Sequence, residues 1–193
     1  LPAAIEQDLP AMRSHRPGDI CERLGQLIRE QSTRLFLRGF STPGREGMGA
    51  TLALVLLLEG RACVANLGDS RVYRLRAGRL VQLSRDHSVI AELLAGGEIE
   101  PDDAAGHRAR GLVTQHLGMP GRADPCVRSF ALKPGDRFLL CSDGLTDMVK
   151  DTTLREILNG RSNCQDACDM LVQLANAQGG YDNITAVLVH WTG

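Results

Sequence analysis

The chain has 193 residues, 43% of them apolar, and a formal net charge of −1 at pH 7. That length fits one domain of about 100–200 residues, and near-neutral charge gives no electrostatic ground for binding nucleic acid or an anionic membrane surface. No apolar run approaches the roughly 20 residues of a membrane helix, and no signal peptide is visible. Six scattered cysteines without a paired Cys or His motif read as free thiols of a reducing, cytosolic setting rather than a zinc site.

Taken in order, Leu1 to Leu9 reads as part of a helix that Pro10 ends, and Met12 to Gly18 as a loop. A long helix starts at Pro17-Gly18-Asp19, with Ile20, Leu24, Leu27, Ile28 and Leu35 on one apolar face and Gly39 closing it. After a glycine-rich loop, Ala50 to Leu58 is apolar throughout, as in a strand buried on both faces or nearly so. Glu59-Gly60 turns it into Arg61 to Leu67, Gly68-Asp69-Ser70 interrupts, and Arg71 to Arg76 alternates like a half-exposed strand. Ala77-Gly78 leads on to Leu80 to Leu83, so these strands read as consecutive hairpins of an antiparallel meander. From Asp86 to Leu117 the character changes to a flap: a short helix Val89 to Leu94, a polar stretch Glu98 to Arg110, and a second helical segment Ala109 to Leu117. Two strands follow, Val127 to Leu132 and Arg137 to Cys141, the latter launched by the turn Lys133-Pro134-Gly135-Asp136. Helices over Leu145 to Val149, Thr153 to Leu158 and Cys164 to Gln178 precede a last strand, Ile184 to Trp191. The pattern is α+β.

Three aspartates share one description. Asp69 ends the strand Cys63 to Leu67, Asp143 ends Phe138 to Cys141, Asp182 precedes the last strand, and each has glycine close by. Asp-Gly is also an ordinary turn, and Ser142 before a helix an ordinary N-cap. Were these strand ends to converge, the clustered carboxylates would have to share a proton or hold a cation. Oxygen-only ligands select a hard ion such as Mg²⁺ or Mn²⁺.

Six segments resemble, in the same order, those of the bacterial metal-dependent protein phosphatases of the PPM (type 2C) family. They are Gly47 to Leu52, Ala65 to Arg71, Leu83 to Ser88, Thr114 to Gly118, Pro134 to Asp147 and Gly180 to Thr185. The resemblance implies a four-layer α-β-β-α sandwich of two mainly antiparallel sheets flanked by helices, with residues 1–193 one phosphatase domain and a flap insertion at about 86–118. It implies hydrolysis of phosphoserine and phosphothreonine through a metal-activated water, using two to three Mn²⁺ or Mg²⁺ ions in the complete domain. Asp143 and Asp182 would ligate the second metal, Asp69 with Asp182 a third and weaker one. Gly144 and Asn183 would support the site, Asn183 through its side chain, and no catalytic residue is implied beyond the metal ligands. The implied partners are a phosphorylated protein substrate and a Ser/Thr kinase or its targets, in the cytoplasm.

The family's first two strands and its Asp-Gly-x-Gly-Gly motif do not occur in this sequence. Two readings follow: residues precede Leu1 in the natural protein, or the chain is a catalytically inactive pseudophosphatase acting as a binding or regulatory module. Three mutually repelling carboxylates are costly to keep without a use, which favours the first. A haloacid-dehalogenase-type phosphatase is a poor third reading, since no Asp-x-Asp-x-Thr follows an early strand. His87 could touch substrate but fits better as a brace at the start of the flap. Arg71 is read as pairing with carboxylates, Trp191 as core, and the acidic residues of 98–103 as a solvated surface.

Overall fold

The computed structural model describes residues 1–13 and 17–193, so 14–16 of the expected loop lie outside the described residues. Its elements are α1 (Pro2–Arg13), α2 (Pro17–Ser41), β1 (Leu52–Leu58), β2 (Arg61–Leu67), β3 (Arg71–Arg76), β4 (Arg79–Gln82) and α3 (Val89–Gly96), then β5 (Cys126–Ala131), β6 (Arg137–Cys141), α4 (Asp143–Thr146), α5 (Asp151–Gly160), α6 (Cys164–Ala177) and β7 (Ala186–His190). The strands form two antiparallel sheets, ordered β1-β2-β5 and β4-β3-β6-β7, with flanking helices: the α+β class expected from the sequence. Among the described residues no helix is long and apolar enough to cross a membrane.

Two compact units divide the chain. One comprises Leu1–Leu52, Ala65–Asp69 and Arg85–Arg128; the other comprises Ala53–Val64, Ser70–Ser84 and Ser129–Gly193. In the first, α1 runs on through Pro10 instead of stopping there. Proline removes one helical N–H bond, but Ile5 and Met12, on one face of the helix, are both buried, and that packing outweighs the lost bond. Likewise α2 continues past Gly39 to Ser41. A Cβ on Gly39 would lie 2.9 Å from the Arg45 carbonyl oxygen, so this glycine permits a close approach and does not end the helix.

The flap also departs from expectation. Its first helix forms, capped by the Ser88 side chain and closed by Gly97 at φ 68°. The second helical segment, Ala109 to Leu117, does not form. Its backbone is drawn into pairings with distant chain: Ser88 bridges Val113, Ala50 bridges Leu117, and Thr114 N–H donates to the His87 carbonyl at 2.9 Å. Gly111, at φ 76°, breaks any helical run there.

In the second unit, the facing sheets bury Ala62, Val64, Val72 and Phe138 between them, with Val55 and Phe130 packed alongside. On the other face of the four-stranded sheet, Tyr73, Leu75 and Leu139 pack with Leu154, Leu158 and Leu171 of α5 and α6. Strand β3 is therefore covered on both faces, not half-exposed. Its arginines face protein: Arg74 lies 5.8 Å from the Phe130 ring centre, and Arg76 holds the fully buried Asp136 carboxylate through two bonds of 2.5 Å. The meander is also corrected. Of β1 to β4, β1-β2 and β3-β4 form hairpins, but β2 and β3 belong to different sheets, and the chain changes sheet at Gly68-Asp69-Ser70. Strand β1, apolar throughout, is only partly buried from 52 to 57, because it forms an edge of its sheet. Trp191 is half-buried rather than core.

Candidate functional site

Asp143 and Asp182 are brought together by one hydroxyl. Ser142, just past β6, donates its Oγ–H to the Asn183 carbonyl at 3.0 Å and accepts the Thr185 N–H at 3.0 Å. Its own N–H donates to the Thr185 carbonyl at 3.2 Å. Ser142 precedes α4 but makes no side-chain cap, so the ordinary N-cap reading is replaced by a cross-link between two loops. Gly144 lets the loops close: a Cβ there would sit 2.5 Å from the Asn183 carbonyl oxygen. Asn183 is exposed, and the bracing it provides comes from its backbone rather than its side chain.

Each carboxylate is held by the next residue's amide. Gly144 N–H donates to Asp143 at 2.9 Å and Asn183 N–H to Asp182 at 2.6 Å. Asp143 is half-buried, and burial pushes its carboxyl above the ordinary range; the nearby charges of Asp182 and Asp147 push it further, against the Gly144 bond. This crowding of like charge is what a cation would relieve. The donor set fits a hard divalent ion in kind, being oxygen only, and supplies two of the roughly six ligands such an ion takes. Among the described residues, no three His, Cys, Asp or Glu side chains are grouped to hold an ion by themselves.

Replacing Gly144 by Ala should force the Asp182-Asn183 loop outward. We expect a loss of about 1–3 kcal/mol, the usual cost of overpacking, read as a lowered midpoint in urea unfolding.

Asp69 stands on the first unit, partly buried at the end of β2. Gly68 before it has φ 109°, and a Cβ there would meet Thr51 Cγ2 at 2.5 Å, so only glycine fits. Asn66, fully buried in a strand of apolar neighbours, donates to the carbonyls of Gly68 (3.3 Å) and Arg85 (2.6 Å) and accepts the Arg85 N–H at 3.2 Å. His87 Nδ1 accepts the Gly68 N–H at 3.2 Å. Its brace-like role at the flap's start agrees with the sequence reading. Burial lowers its pKa, aided by Arg85 and opposed by Asp124, Asp86 and Glu92, which keeps Nδ1 available as an acceptor. Sequence reasoning passed over Asn66 and Ser142. A lone amide inside the apolar run Cys63 to Leu67 was the available signal for Asn66; Ser142 offered none, because its partners lie some 40 residues away. Arg71 donates to the Tyr73 hydroxyl at 3.0 Å, and that hydroxyl donates to Asp151 at 3.0 Å.

A family model described as Stage II sporulation protein E (SpoIIE) matches residues 4–192. The serine/threonine phosphatase stp of Listeria monocytogenes is 37% identical over 166 residues, covering 86% of this chain and 66% of its own length. This chain thus spans just under two-thirds of that relative. A crystal structure of the Mycobacterium tuberculosis serine/threonine phosphatase PstP/Ppp aligns with TM-score 0.84 at 32% identity, covering 98% of this chain and 80% of that one. The catalytic domain of PstP in complex with two manganese ions aligns with TM-score 0.82 at 30% identity, covering 98% and 79%.

Proposed function

The chain belongs to the PPM (type 2C, SpoIIE-like) phosphatase family, and on that premise we propose that the whole protein is a metal-dependent protein serine/threonine phosphatase. The observation that carries this reading is the Asp143–Asp182 pair, two like charges fastened together by Ser142 at the ends of β6 and β7. Asp143 and Asp182 would hold a divalent cation, and Asp69 would contribute to a further, weaker site. When bound, the cation would acidify a water and neutralise charge on the phosphoryl oxygens. The amides of Gly144 and Asn183 fix the two carboxylates in advance, so little reorganisation accompanies binding.

A relative solved with two manganese ions supports a divalent cation, Mn²⁺ or Mg²⁺, as the cofactor. The substrate class would be phosphoserine- and phosphothreonine-bearing proteins of the cytoplasm, set against a Ser/Thr kinase. Residues 1–193 would act as one phosphatase domain whose 86–118 flap influences which phosphoprotein is accepted.

The test is hydrolysis of p-nitrophenyl phosphate and of a phosphothreonine peptide, by this chain and by the natural full-length protein, with Mn²⁺ and then with EDTA. The full-length protein is expected to hydrolyse both, and EDTA to remove the activity. A folded full-length protein that binds the phosphopeptide yet hydrolyses nothing with Mn²⁺ or Mg²⁺ is instead a non-catalytic regulatory module. The two-carboxylate donor set is the observation that keeps that second reading open to test.

A further inference from the structure

We propose that His87 is a positioning residue that ties the base of the 86–118 flap to the turn carrying Asp69, so that flap and carboxylate move as one body. The inference rests on reading Asp69 as a metal ligand. It stands on the bonding of one peptide unit. Both backbone polar groups of Gly68 go to His87: the Gly68 N–H donates to Nδ1 at 3.2 Å, and the Gly68 carbonyl accepts the His87 N–H at 2.9 Å. The carbonyl of His87 in turn accepts the Thr114 N–H at 2.9 Å, from the returning stem of the flap. Beside it, Val89 N–H donates to the Leu112 carbonyl at 2.9 Å, and Ser88 bridges Val113. One residue therefore joins both flap stems to Gly68.

Gly68 is held at both its N–H and its carbonyl, and its φ of 109° beside the Thr51 side chain is a conformation that only glycine fits. The buried Asn66 amide clamps the same carbonyl and, by two bonds, the backbone of Arg85 at the outgoing stem. A polypeptide that shifts the flap stems thus shifts the peptide from which Asp69 projects. A brace serving stability alone would lower the melting temperature and leave metal occupancy at Asp69 unaltered. A positioning residue changes that occupancy selectively.

The experiment uses the ¹⁵N-labelled full-length protein, with Mn²⁺ as a paramagnetic probe and amide line broadening as the readout. In His87→Ala, broadening at the Asp69 amide is expected to need about 10-fold more Mn²⁺ than in the parent, the usual scale for losing a residue that orients a ligand. Broadening at the Gly144 and Asn183 amides should keep its parental midpoint. His87→Asn, whose Oδ1 takes the place of Nδ1, should restore the parental response. His87→Gln, whose carbonyl reaches the Nε2 position instead, should not, and it stands in for the alanine variant if that one fails to fold. Equal midpoints in parent and His87→Gln would overturn the proposal. A parental Asp69 amide that Mn²⁺ never broadens, or that broadens equally in Asp69→Asn, would instead sink the metal reading of Asp69 and the positioning role with it. Hydrogen exchange at the Gly68 amide separates the two failures. Exchange faster in His87→Gln and restored in His87→Asn means the tie is real; unchanged exchange means that it is not.

Discussion

Asp143→Asn is expected to remove divalent-cation-dependent hydrolysis, by at least about 100-fold, while leaving the metal-free protein as stable as the parent or more so. The substitution keeps an oxygen to accept the Gly144 N–H and removes a charge that burial and two neighbouring aspartates disfavour. Because the folded protein raises this carboxyl above its unfolded value near 3.9, the ionised group costs stability at neutral pH, and that cost is relieved as pH falls through the raised folded value. The variant lacks this relief, so its melting temperature should exceed the parental one at pH 7 by more than it does in mild acid. Mn²⁺ at about 100 times its Kd should stabilise the parent by roughly 2.7 kcal/mol, a rise of several degrees for a chain of this size, and leave the variant unmoved. Differential scanning calorimetry with Mn²⁺ and with EDTA reads both effects. A variant less stable than the parent without metal would mean that Asp143 serves the fold instead.

Asp136→Ala has the opposite character: a large loss of stability with no direct consequence for the site. Asp136 is fully buried, accepts two bonds from Arg76 and caps its own turn by accepting the Lys133 N–H at 2.9 Å. Burial alone would raise its carboxyl. The Arg76 and Lys133 bonds, with the charges of Arg76 and Arg74, outweigh burial and hold it below the ordinary range. Removing one partner of such a pair leaves the other without compensation and costs about 3–5 kcal/mol, which corresponds to a fall of roughly 10 °C in melting temperature. Arg76→Met with Asp136→Leu should recover much of that, since neither charge then remains. The pair's contribution is complete above the unfolded carboxylate pKa, near 3.9, and disappears as pH falls through the depressed folded value. Acid unfolding of the parent should therefore steepen below about pH 4, and the Asp136→Ala profile should be flatter there. Chemical denaturation across that pH range measures the difference.

Much of the architecture is legible in local pattern. Strand β6 is announced by an apolar run between a Pro-Gly turn and Ser142-Asp143-Gly144, and the hairpins by Glu59-Gly60 and Ala77-Gly78, whose four residues all adopt positive φ. These features are legible because turn chemistry and period act over a few residues. The failures share one cause. The helix expected over 109–117 was lost to backbone pairing with Ala50 and Ser88, and Pro10 was overridden by burial of Ile5 and Met12. In both, packing between distant segments outweighs a local preference worth a few kcal/mol at most.

The class of the fold, the family resemblance and the three aspartates are readable along the chain, because apolar periodicity, glycine turns and ordered motifs are properties of neighbouring residues. Folding in three dimensions was needed to part β2 and β3 into different sheets, to turn the arginines of β3 toward protein with one closing on a buried Asp136, and to draw Asp182 beside Asp143 through a single hydroxyl on Ser142. The difference is one of reach. Hydrogen bonds and charges act over a few ångströms in space, and their partners here lie 41 to 60 positions apart along the chain.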